Sequence, residues 1–474
     1  MTTTDLAPFL ERAFKLPPRE DAYEMDRVEG EVPPYLNGTY YLNGPCRFQR
    51  DGQTYRHWLD GDGMVTALRF DHGDVHCAHR FVRSTKLVEE DSAGKFVYRT
   101  FGTPYEKLKR GLGLESPANV SAFVYDGRLL AFGEQGLPWD LDPVTLETRG
   151  EYNLGGRLNA ITPFSAHPKF DYAAGEMYNF GIAYAAAEPL LNVYRCDSHG
   201  NLLARTRHKL EYPCTVHDFG LSPSYTVHYL SPYLLNIAGM MREGKSMQES
   251  LAWTPERGSR LMVASRKTGE AVASFHIGEK YCLHLINCFE SDGLLTVDLL
   301  ELDRPVYDQY QVIPDLFTDV AEGYPVRLVL DLDARRIVER RELPYRLAPD
   351  FASVVPDLWM KSAPDFWLLG ISATGKPGRK FFDQLVHGDF DSGSVDDIYQ
   401  TPPGTYLGGE PLFLPDPANP QHLGVVICQI IDAGNSTSAF ALFDPFRVAA
   451  GPKVVLRQRT AVAPCFHSSW TAAA

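Results

Sequence analysis

The sequence lacks the features that mark a secreted, membrane-spanning or disulfide-stabilised protein. Its eight cysteines form no Cys-x-x-Cys pair in 474 residues, which is typical of reduced thiols rather than of a disulfide framework. No stretch approaches about 18 consecutive apolar residues, the length that a membrane-spanning helix needs. The first residues, Met-Thr-Thr-Thr-Asp, show neither the basic nor the apolar region of a secretory signal. We therefore expect a soluble protein of a reducing compartment, the cytoplasm.

Positive charge is also scarce. Lysine and arginine number 46 against 60 acidic residues, for a formal net charge of −14. Proteins that bind nucleic acid use basic side chains to neutralise phosphates, so this balance argues against that class. The composition is otherwise that of a globular protein, with 44% hydrophobic and 22% charged residues.

The order of short apolar runs and turns predicts an all-β fold. Helical periodicity is weak, and only 104–112 and 246–252 are modest helix candidates. Runs rich in Val, Ile, Tyr and Phe alternate with polar turns. Turns rich in Asp or Gly recur at positions 71, 142, 197, 268, 333, 391 and 444. Seven hairpins at such regular spacing predict a seven-bladed β-propeller, whose blades need roughly 40–50 residues plus insertions.

The chain divides into two parts on this interpretation. Residues 1–30 are polar, carry two adjacent prolines and are predicted to form an arm that wraps the fold. Residues 31–474 are predicted to form a single propeller domain.

Four of the 14 histidines lie inside apolar or aromatic runs, where burial without a partner is costly. They are His167, His217, His284 and His467. Because equivalent inner strands of a propeller converge on its axis, these side chains could meet and share a metal. Imidazole suits Fe, Cu, Zn and Ni, and zinc would close a four-ligand site as a structural element. The alternative is four independent structural histidines.

Three acidic residues lie in apolar or glycine-rich runs and could accept the second N–H of a metal-bound histidine. They are Glu134, Asp350 and Glu410. The alternative interpretation is that each is an ordinary acid in the turn at a strand end.

Segment 239–246 (GMMREGKS) matches the phosphate-binding pattern G-x4-G-K-[ST]. That motif needs a strand-to-helix turn in a βαβ unit. Here Pro232 interrupts the preceding strand, and Glu243 would place a negative charge beside the phosphates. We therefore reject a nucleotide site at this position.

The apolar segment 229–241 has two interpretations. It is either a buried strand or an exposed lip that admits a lipophilic substrate, with Arg242 and Lys245 near the headgroups of a membrane. The lip would consist of Tyr229, Tyr233, Leu234, Leu235, Ile237, Met240 and Met241.

Several segments resemble the carotenoid cleavage oxygenases, in the order and spacing of that family. They are 36–45 (LNGTYYLNGP), 57–64 (HWLDGDGM), 129–134 (LLAFGE) with 141–143 (LDP), 165–171 (SAHPKFD), 217–219 (HDF), 284–287 (HLIN), 409–411 (GEP) and 466–467 (FH). The resemblance extends over nearly the whole chain.

This resemblance implies a seven-bladed propeller capped by a dome of loops and short helices. It implies a non-haem Fe(II) bound by the four histidines. It also implies a reaction in which O2 cleaves the double bond of a lipophilic polyene or aryl alkene to two carbonyl products. The carboxylate pairs that it implies are Glu134 with His217, Asp350 with His284 and Glu410 with His467, while His167 would have no such partner.

Four positions refine the comparison with the family. Asp350 replaces the usual Glu, and its shorter arm could lengthen or lose the contact with His284. Leu42 stands where an Arg is common, and Val120 falls where the family has Thr or Val near a vacant iron position. Gly133 lacks the Lys that binds the substrate phenol in the stilbene-cleaving branch.

We therefore expect an Fe(II)-dependent dioxygenase acting on a carotenoid or apocarotenoid. The first alternative keeps the iron chemistry but changes the substrate to a stilbene or phenylpropene. The remote alternative is a non-catalytic propeller that binds proteins or lipids. Peripheral contact with a membrane is a further expectation.

Overall fold

Short antiparallel strands make up nearly all of the regular structure. The computed structural model describes residues 6–109, 114–134, 136–184, 188–306, 313 and 317–473. In chain order its strands are β1 (Asp21–Glu24), β2 (Val28–Glu29), β3 (Asn37–Arg47), β4 (Gln49–Arg50), β5 (Gln53–Thr54), β6 (Asp62–Asp71), β7 (Asp74–Phe81), β8 (Ser121–Tyr125), β9 (Arg128–Phe132), β10 (Trp139–Leu141), β11 (Thr148–Glu151), β12 (Lys169–Asp171), β13 (Glu176–Ala183), β14 (Leu190–Asp197), β15 (Leu202–Lys209), β16 (Cys214–Thr215), β17 (Phe219–Leu221), β18 (Tyr225–Leu235), β19 (Leu251–Trp253), β20 (Ser259–Ser265), β21 (Ala271–Gly278), β22 (Tyr281–Ser291), β23 (Leu294–Leu302), β24 (Gly323–Asp331), β25 (Arg336–Glu342), β26 (Asp350–Val354), β27 (Asp365–Gly370), β28 (Gln384–Asp389), β29 (Asp397–Gln400), β30 (Thr405–Pro415), β31 (Gly424–Asp432), β32 (Thr437–Phe443), β33 (Pro452–Arg457) and β34 (Ser468–Ala472).

These strands form the seven blades of a propeller. In the described part of the chain, seven sheets have four or more strands, and β4 and β5 form a separate ribbon. Their orders are β1-β7-β6-β3-β34, β11-β10-β9-β8, β12-β13-β14-β15, β16-β18-β20-β21 with β17 and β19 on β18, β22-β23-β24-β25, β26-β27-β28-β29 and β2-β33-β32-β31-β30. The predicted all-β, seven-bladed propeller is confirmed.

Each predicted turn closes one hairpin on the outer side of a blade. The hairpins are β6–β7, β10–β11, β14–β15, β20–β21, β24–β25, β28–β29 and β32–β33. The innermost and outermost strands of a blade differ sharply in character. Strand β22 is buried over most of its length, whereas β25 at the edge of the same sheet reads RIVERRE and is largely exposed. The charges on β25 protect that edge from pairing with another chain.

The two ends of the chain close the ring. The final strand β34 pairs with β3, with Leu42 opposite Ser468. Strand β1 adds to the outside of that blade, and β2 adds to the outside of the blade formed by β30–β33. The polar N-terminal segment therefore contributes an outer strand to each of two blades. The boundary at residue 30 stays a prediction.

Helices are few and short in the part of the chain that the structure describes. They are α1 (Leu10–Ala13), α2 (Thr85–Ala93) and α3 (Ile237–Arg242), with 3-10 turns at Trp58–Asp60, Gln248–Ser250, Pro255–Arg257, Pro356–Leu358 and Val448–Ala450. The candidate helix 246–252 is only one 3-10 turn. The candidate at 104–112 lies partly outside the described residues, and 104–109 is not helical. Sequence reasoning missed α2.

Loops and short helices join into a dome over one face of the ring. The Gln248 amide donates to the Phe101 carbonyl at 2.8 Å, and Arg99 donates to the Met240 carbonyl at 2.5 Å. These bonds tie the loop after α2 to α3 and the turn that follows it. No helix in the described ranges is both long and apolar enough to cross a membrane.

Candidate metal centre and cavity

Interrupted inner strands bring the candidate histidines to the propeller axis. His217 lies in the gap between β16 and β17, and the pairing of β22 is irregular between Cys282 and Leu285, where His284 lies. A break of this kind turns a side chain out of the regular alternation of a strand.

The other two histidines lie just before inner strands. His167 precedes β12 by two residues, and His467 directly precedes β34. The His467 amide donates to the Val120 carbonyl at 3.2 Å. Val120 therefore lies beside the histidine cluster.

The four imidazoles meet at one point. The Nε2 atom of His217 lies 2.9 Å from that of His167 and 3.2 Å from that of His284. One ligand nitrogen from each of the four histidines lies within 4.8 Å of the other three. With metal–nitrogen bonds of about 2.1 Å, adjacent corners of an octahedron lie about 3.0 Å apart. The cluster therefore suits one metal ion held by nitrogen alone.

Three of the imidazoles are oriented by carboxylates on the side away from this point. The Nδ1 atom of His217 lies 2.9 Å from Glu134 Oε1, that of His284 lies 2.5 Å from Asp350 Oδ1 and that of His467 lies 3.1 Å from Glu410 Oε2. These bonds fix the tautomer whose Nε2 lone pair can bind a metal. The Asp350 side chain is one methylene shorter than the usual Glu but still contacts His284. The contact is therefore neither lengthened nor lost.

His167 is the exception. The nearest carboxylate oxygen, Oδ1 of Asp218, lies 3.9 Å from its Nδ1 atom, which is too far for a hydrogen bond. That oxygen instead accepts the Phe219 amide and lies 2.8 Å from Lys169 Nζ, while Oδ2 accepts the Leu285 amide. Asp218 thus connects the segments that carry three of the histidines.

Burial shapes the protonation of the cluster. It lowers the pKa of His167 and of His284 well below the ordinary value, and neighbouring imidazoles add to the effect. Burial acts in the same direction on His217, but the carboxylates of Glu134, Asp218 and Asp350 together outweigh it and the pKa is raised. Burial also raises the pKa of Asp350 to about 6. Neutral imidazole is the form that binds metals, so a low pKa keeps His167 and His284 ready to bind.

A strained residue lies against the cluster. Phe351 has a φ of 54°, a conformation that costs a bulky residue about 1–3 kcal/mol. Its ring centroid lies 5.2 Å from that of His467 and 5.6 Å from that of His284. The backbone reversal at this position separates Asp350, which binds His284, from the regular part of β26.

Two cavities adjoin the cluster. One of about 120 Å³ lies under the dome, between the histidines and side chains such as Trp58, Phe101 and Leu251. The other, of about 280 Å³, follows the inner strands away from the dome, past Lys169 and Trp359. The cavity under the dome is mainly apolar, as a site for a lipophilic alkene requires.

Glu115 is a polar exception in the lining of that cavity. Its residue surface is 4% exposed, and Lys109 Nζ lies 3.2 Å from its Oε1 atom. Burial raises the pKa of Glu115, and the nearby ammonium opposes this shift.

The expected substrate lip is wrong. Tyr229, Tyr233, Leu235 and Met240 are all buried, because β18 runs through the interior of its blade and Met240 of α3 packs into the main hydrophobic core. Leu234, Ile237 and Met241 are half-buried. The alternative interpretation of this segment, a buried strand, holds for β18.

The phosphate-binding pattern has no matching geometry either. Gly239 lies inside α3 rather than in a loop before a helix, and Lys245 Nζ pairs with Glu243 at 2.7 Å. This agrees with the rejection of a nucleotide site.

Sequence reasoning missed four residues of the site, which are Asp218, Lys169, Glu115 and Phe351. A signal was present for one of them, because Lys169 lies only two residues from His167 in the sequence. Asp218 and Glu115 show their roles only through contacts with distant segments.

Comparison with known proteins agrees with this geometry. The family model described as Retinal pigment epithelial membrane protein (RPE65) matches residues 15–472. The chain is 28% identical to isoeugenol monooxygenase of Pseudomonas putida over 95% of this chain and 96% of that protein. It is 27% identical to apocarotenoid-15,15'-oxygenase of Synechocystis over 97% and 95%. A solved structure of cobalt-substituted Synechocystis apocarotenoid oxygenase matches with a TM-score of 0.88 and 25% identity, covering 99% of this chain and 100% of that one.

Proposed function

Because this chain belongs to the RPE65 and carotenoid cleavage oxygenase family and is an oxygenase that cleaves a carbon–carbon double bond oxidatively, we propose that its cofactor is a ferrous ion. The proposed ligands are His167, His217, His284 and His467. The proposed substrate is a carotenoid or apocarotenoid, which O2 cleaves to two carbonyl products. The observation that carries this proposal is the convergence of four imidazole nitrogens within 4.8 Å.

The donor set suits this cofactor. Four neutral imidazoles leave a bound divalent ion with its full charge, and imidazole is a ligand of non-haem iron. When bound, the ion would supply the redox chemistry that lets O2 react with an alkene. Three surrounding carboxylates hold the tautomers and orientations of the imidazoles. These carboxylates belong to Glu134, Asp350 and Glu410.

The apolar cavity would hold the double bond and exclude water. Val120 and Phe351 line the cavity and are both at most 5% exposed. In this proposal Val120 borders a coordination position that the histidines leave vacant, and Phe351 limits the approach of solvent from the axis.

A second candidate substrate is an aryl alkene such as a stilbene or phenylpropene. Its support is the small size of the cavity: at about 120 Å³ it is smaller than the apolar cavity of about 150 Å³ that accepts one benzene molecule, which favours a short aryl alkene over a long polyene. Position 133 holds Gly instead of the Lys that binds the substrate phenol in the stilbene-cleaving branch. This difference counts against a stilbene substrate. A methyl group at Gly133 would lie 2.1 Å from Ser116 Oγ, so the segment around Ser116 occupies that space.

Location and membrane contact are finer parts of the proposal. The eight cysteines are free and buried, which supports a reducing compartment and hence the cytoplasm. Peripheral contact with a membrane stays a prediction. On and after α3, Arg242 and Lys245 are exposed, while Ile237 and Met241 are half-buried.

The test is product analysis after loading with ferrous iron under ¹⁸O2. An apocarotenal, a hydroxystilbene and isoeugenol are incubated in parallel, and mass spectrometry follows the carbonyl products and their label. We expect label in both products, one stoichiometric iron, and the loss of iron and of turnover in His284→Ala. The control His199→Ala alters a side chain that is 76% exposed and should change neither. Absence of carbonyl products from every substrate would overturn the proposal.

A further inference from the structure

A lysine in the larger cavity, on the side of the cluster away from the dome, binds the acid that lies next to His167. Lys169 Nζ lies 2.8 Å from Asp218 Oδ1, and the same oxygen lies 3.9 Å from His167 Nδ1. The side chains of the lysine and the acid are only 15% and 2% exposed, so water screens their attraction weakly. A neutral imidazole N–H competes poorly with an ammonium for a carboxylate oxygen. His167 therefore lacks the carboxylate contact that the other three imidazoles have.

The position of Lys169 is fixed by its surroundings. Its ammonium lies 5.6 Å from the centroid of the Trp359 ring, within the range of a cation–π contact. The Trp359 indole N–H donates to the Phe170 carbonyl at 3.1 Å, which ties that ring to β12. Asp218 is held from the other side, since its carboxylate accepts two backbone amides. The lysine and the acid are therefore each held by a contact in addition to the one between them.

The pair matters because of the charge around the proposed iron site. Three carboxylates already contact the other imidazoles. Each makes its imidazole a stronger donor and adds negative charge, and both effects favour Fe(III) over Fe(II). A fourth such contact, at His167, would shift the balance further towards Fe(III). The ammonium of Lys169 opposes this shift twice, by its own positive charge and by its hold on Asp218.

We propose that Lys169 is a positioning residue that raises the reduction potential of iron bound at the histidine cluster, by holding Asp218 away from His167. This inference rests on the proposed function, because it takes the ferrous cofactor as given. The couple concerned is the one-electron step Fe(III) + e⁻ → Fe(II). A high potential keeps the resting enzyme ferrous in air, where each electron lost from the iron would reduce one O2 to superoxide.

The first measurement is an anaerobic redox titration of the iron-loaded protein, with the ferric form followed by electron paramagnetic resonance. Lys169→Met should raise the ferric-to-ferrous ratio at a fixed potential about tenfold or more, which is a fall in midpoint potential of at least about 59 mV. Asp218→Asn should not lower the potential. The double variant should lie close to the wild type, because neither charge remains. The control Lys361→Met removes an exposed lysine from the loop that carries Trp359 and should leave the potential unchanged.

A second measurement tests the position of Asp218 without iron. The protein is labelled with ¹⁵N at histidine and loaded with zinc, a diamagnetic probe. Imidazole N–H groups that donate to buried carboxylates are then counted by NMR from their downfield, slowly exchanging signals. Lys169→Met should show one more such signal than the wild type, because the freed carboxylate has to move less than about 1 Å to accept the His167 N–H.

Two further variants separate this role from folding. Lys169→Arg keeps a positive charge beside Asp218 and should retain the potential and the signals of the wild type. Lys169→Gln keeps a donor but loses the charge, so it should lower the potential and replaces Lys169→Met if that variant does not fold.

The inference is overturned by an unchanged potential in the uncharged variants of Lys169, by the lack of an additional N–H signal in Lys169→Met, or by an equal fall in potential in Lys361→Met. If no substrate gives carbonyl products, the proposed function fails, but the potential of the iron-loaded protein still decides whether Lys169 has this role. A protein that binds no iron overturns both.

Discussion

The buried pair of Asp218 and Lys169 gives the sharpest test of how the histidine cluster is held. Asp218 is 3% exposed, and its carboxylate accepts the amides of Phe219 and Leu285 and contacts the lysine at 2.8 Å. Asp218→Asn removes the charge and leaves the largely buried ammonium without its partner. It also leaves one of the three donors unsatisfied.

The expected cost follows from the buried charge. Breaking a buried ion pair by removing one partner costs about 3–5 kcal/mol. Lys169→Met should cost a similar amount, since it leaves Asp218 charged in the interior. The double variant leaves neither charge and should cost little more than either single change, which is a deviation from additivity of about 3 kcal/mol. The measurement is urea unfolding of the metal-free protein, followed by tryptophan fluorescence and circular dichroism to check that the transitions coincide.

A second measurement tests the link to the metal centre. Asp218 fixes the backbone on both sides of the cluster, so Asp218→Asn should weaken metal binding about tenfold to a hundredfold in chelator competition. The control is Lys209→Met at the Lys209–Glu188 pair, whose side chains are 63% and 58% exposed; it should cost less than about 1 kcal/mol. The reasoning is refuted if Asp218→Asn costs no more than this control and its effect adds to that of Lys169→Met.

Three further predictions concern acid sensitivity, metal retention and the base of the dome. Burial lowers the pKa of His79 to about 4, whereas its pKa in the unfolded chain is about 6.5. As the pH falls below about 6.5 the unfolded state gains a proton that the folded state does not, so the unfolding free energy falls. His79→Gln should reduce the loss of unfolding free energy between pH 7 and pH 5 by about 2 kcal/mol in urea titrations, and an unchanged loss contradicts this. Asp350→Asn should lower metal affinity about tenfold to a hundredfold, whereas Asp365→Asn, at the remote 2.8 Å contact with His387, should not; equal effects would refute a specific role. Lys86 is fully buried between two buried carboxylates at 2.6 and 3.0 Å, so Lys86→Met should cost about 3–5 kcal/mol of unfolding free energy, and a cost below 1 kcal/mol would count against the network.

The propeller could be predicted from sequence because its turns are local. Asp142 accepts the amides of Val144 and Thr145, and Asp197 accepts those of His199 and Asn201. Such bonds join residues that are two to four positions apart, so the chain segment itself carries the signal. Seven such turns then sufficed to count the blades.

The parts that sequence reasoning missed depend on distant contacts. Helix α2 carries Lys86 and Glu90, which look like solvent-facing charges but are buried through contacts with Asp62 and Tyr55. The apolar segment of β18 gave the opposite error, because a buried strand and an exposed apolar lip have the same composition. Burial of a given residue is decided by the elements that pack on it, and here those elements come from other parts of the chain.

The candidate site shows the same division. The histidines stood out because a polar side chain in an apolar run needs a partner. The neighbouring sequence of Asp218 and Glu115, in contrast, gives no indication of the groups that these two residues contact. Asp218 Oδ2 accepts an amide that lies 67 residues away. Glu115 borders the cavity beside residues from several blades and the dome.

The charges around the cluster explain why one histidine lacks a carboxylate. Three carboxylates contact the imidazoles directly, and they are Glu134, Asp350 and Glu410. Together they bring three negative charges against the two positive charges of a bound divalent ion. A fourth unpaired carboxylate at His167 would raise the uncompensated charge in a buried region, where it is expensive. Asp218 occupies that place but is neutralised by Lys169 at 2.8 Å. It can therefore fix the backbone around the cluster without adding net charge, and His167 remains the ligand whose Nδ1 atom has no carboxylate within hydrogen-bonding distance among the described residues.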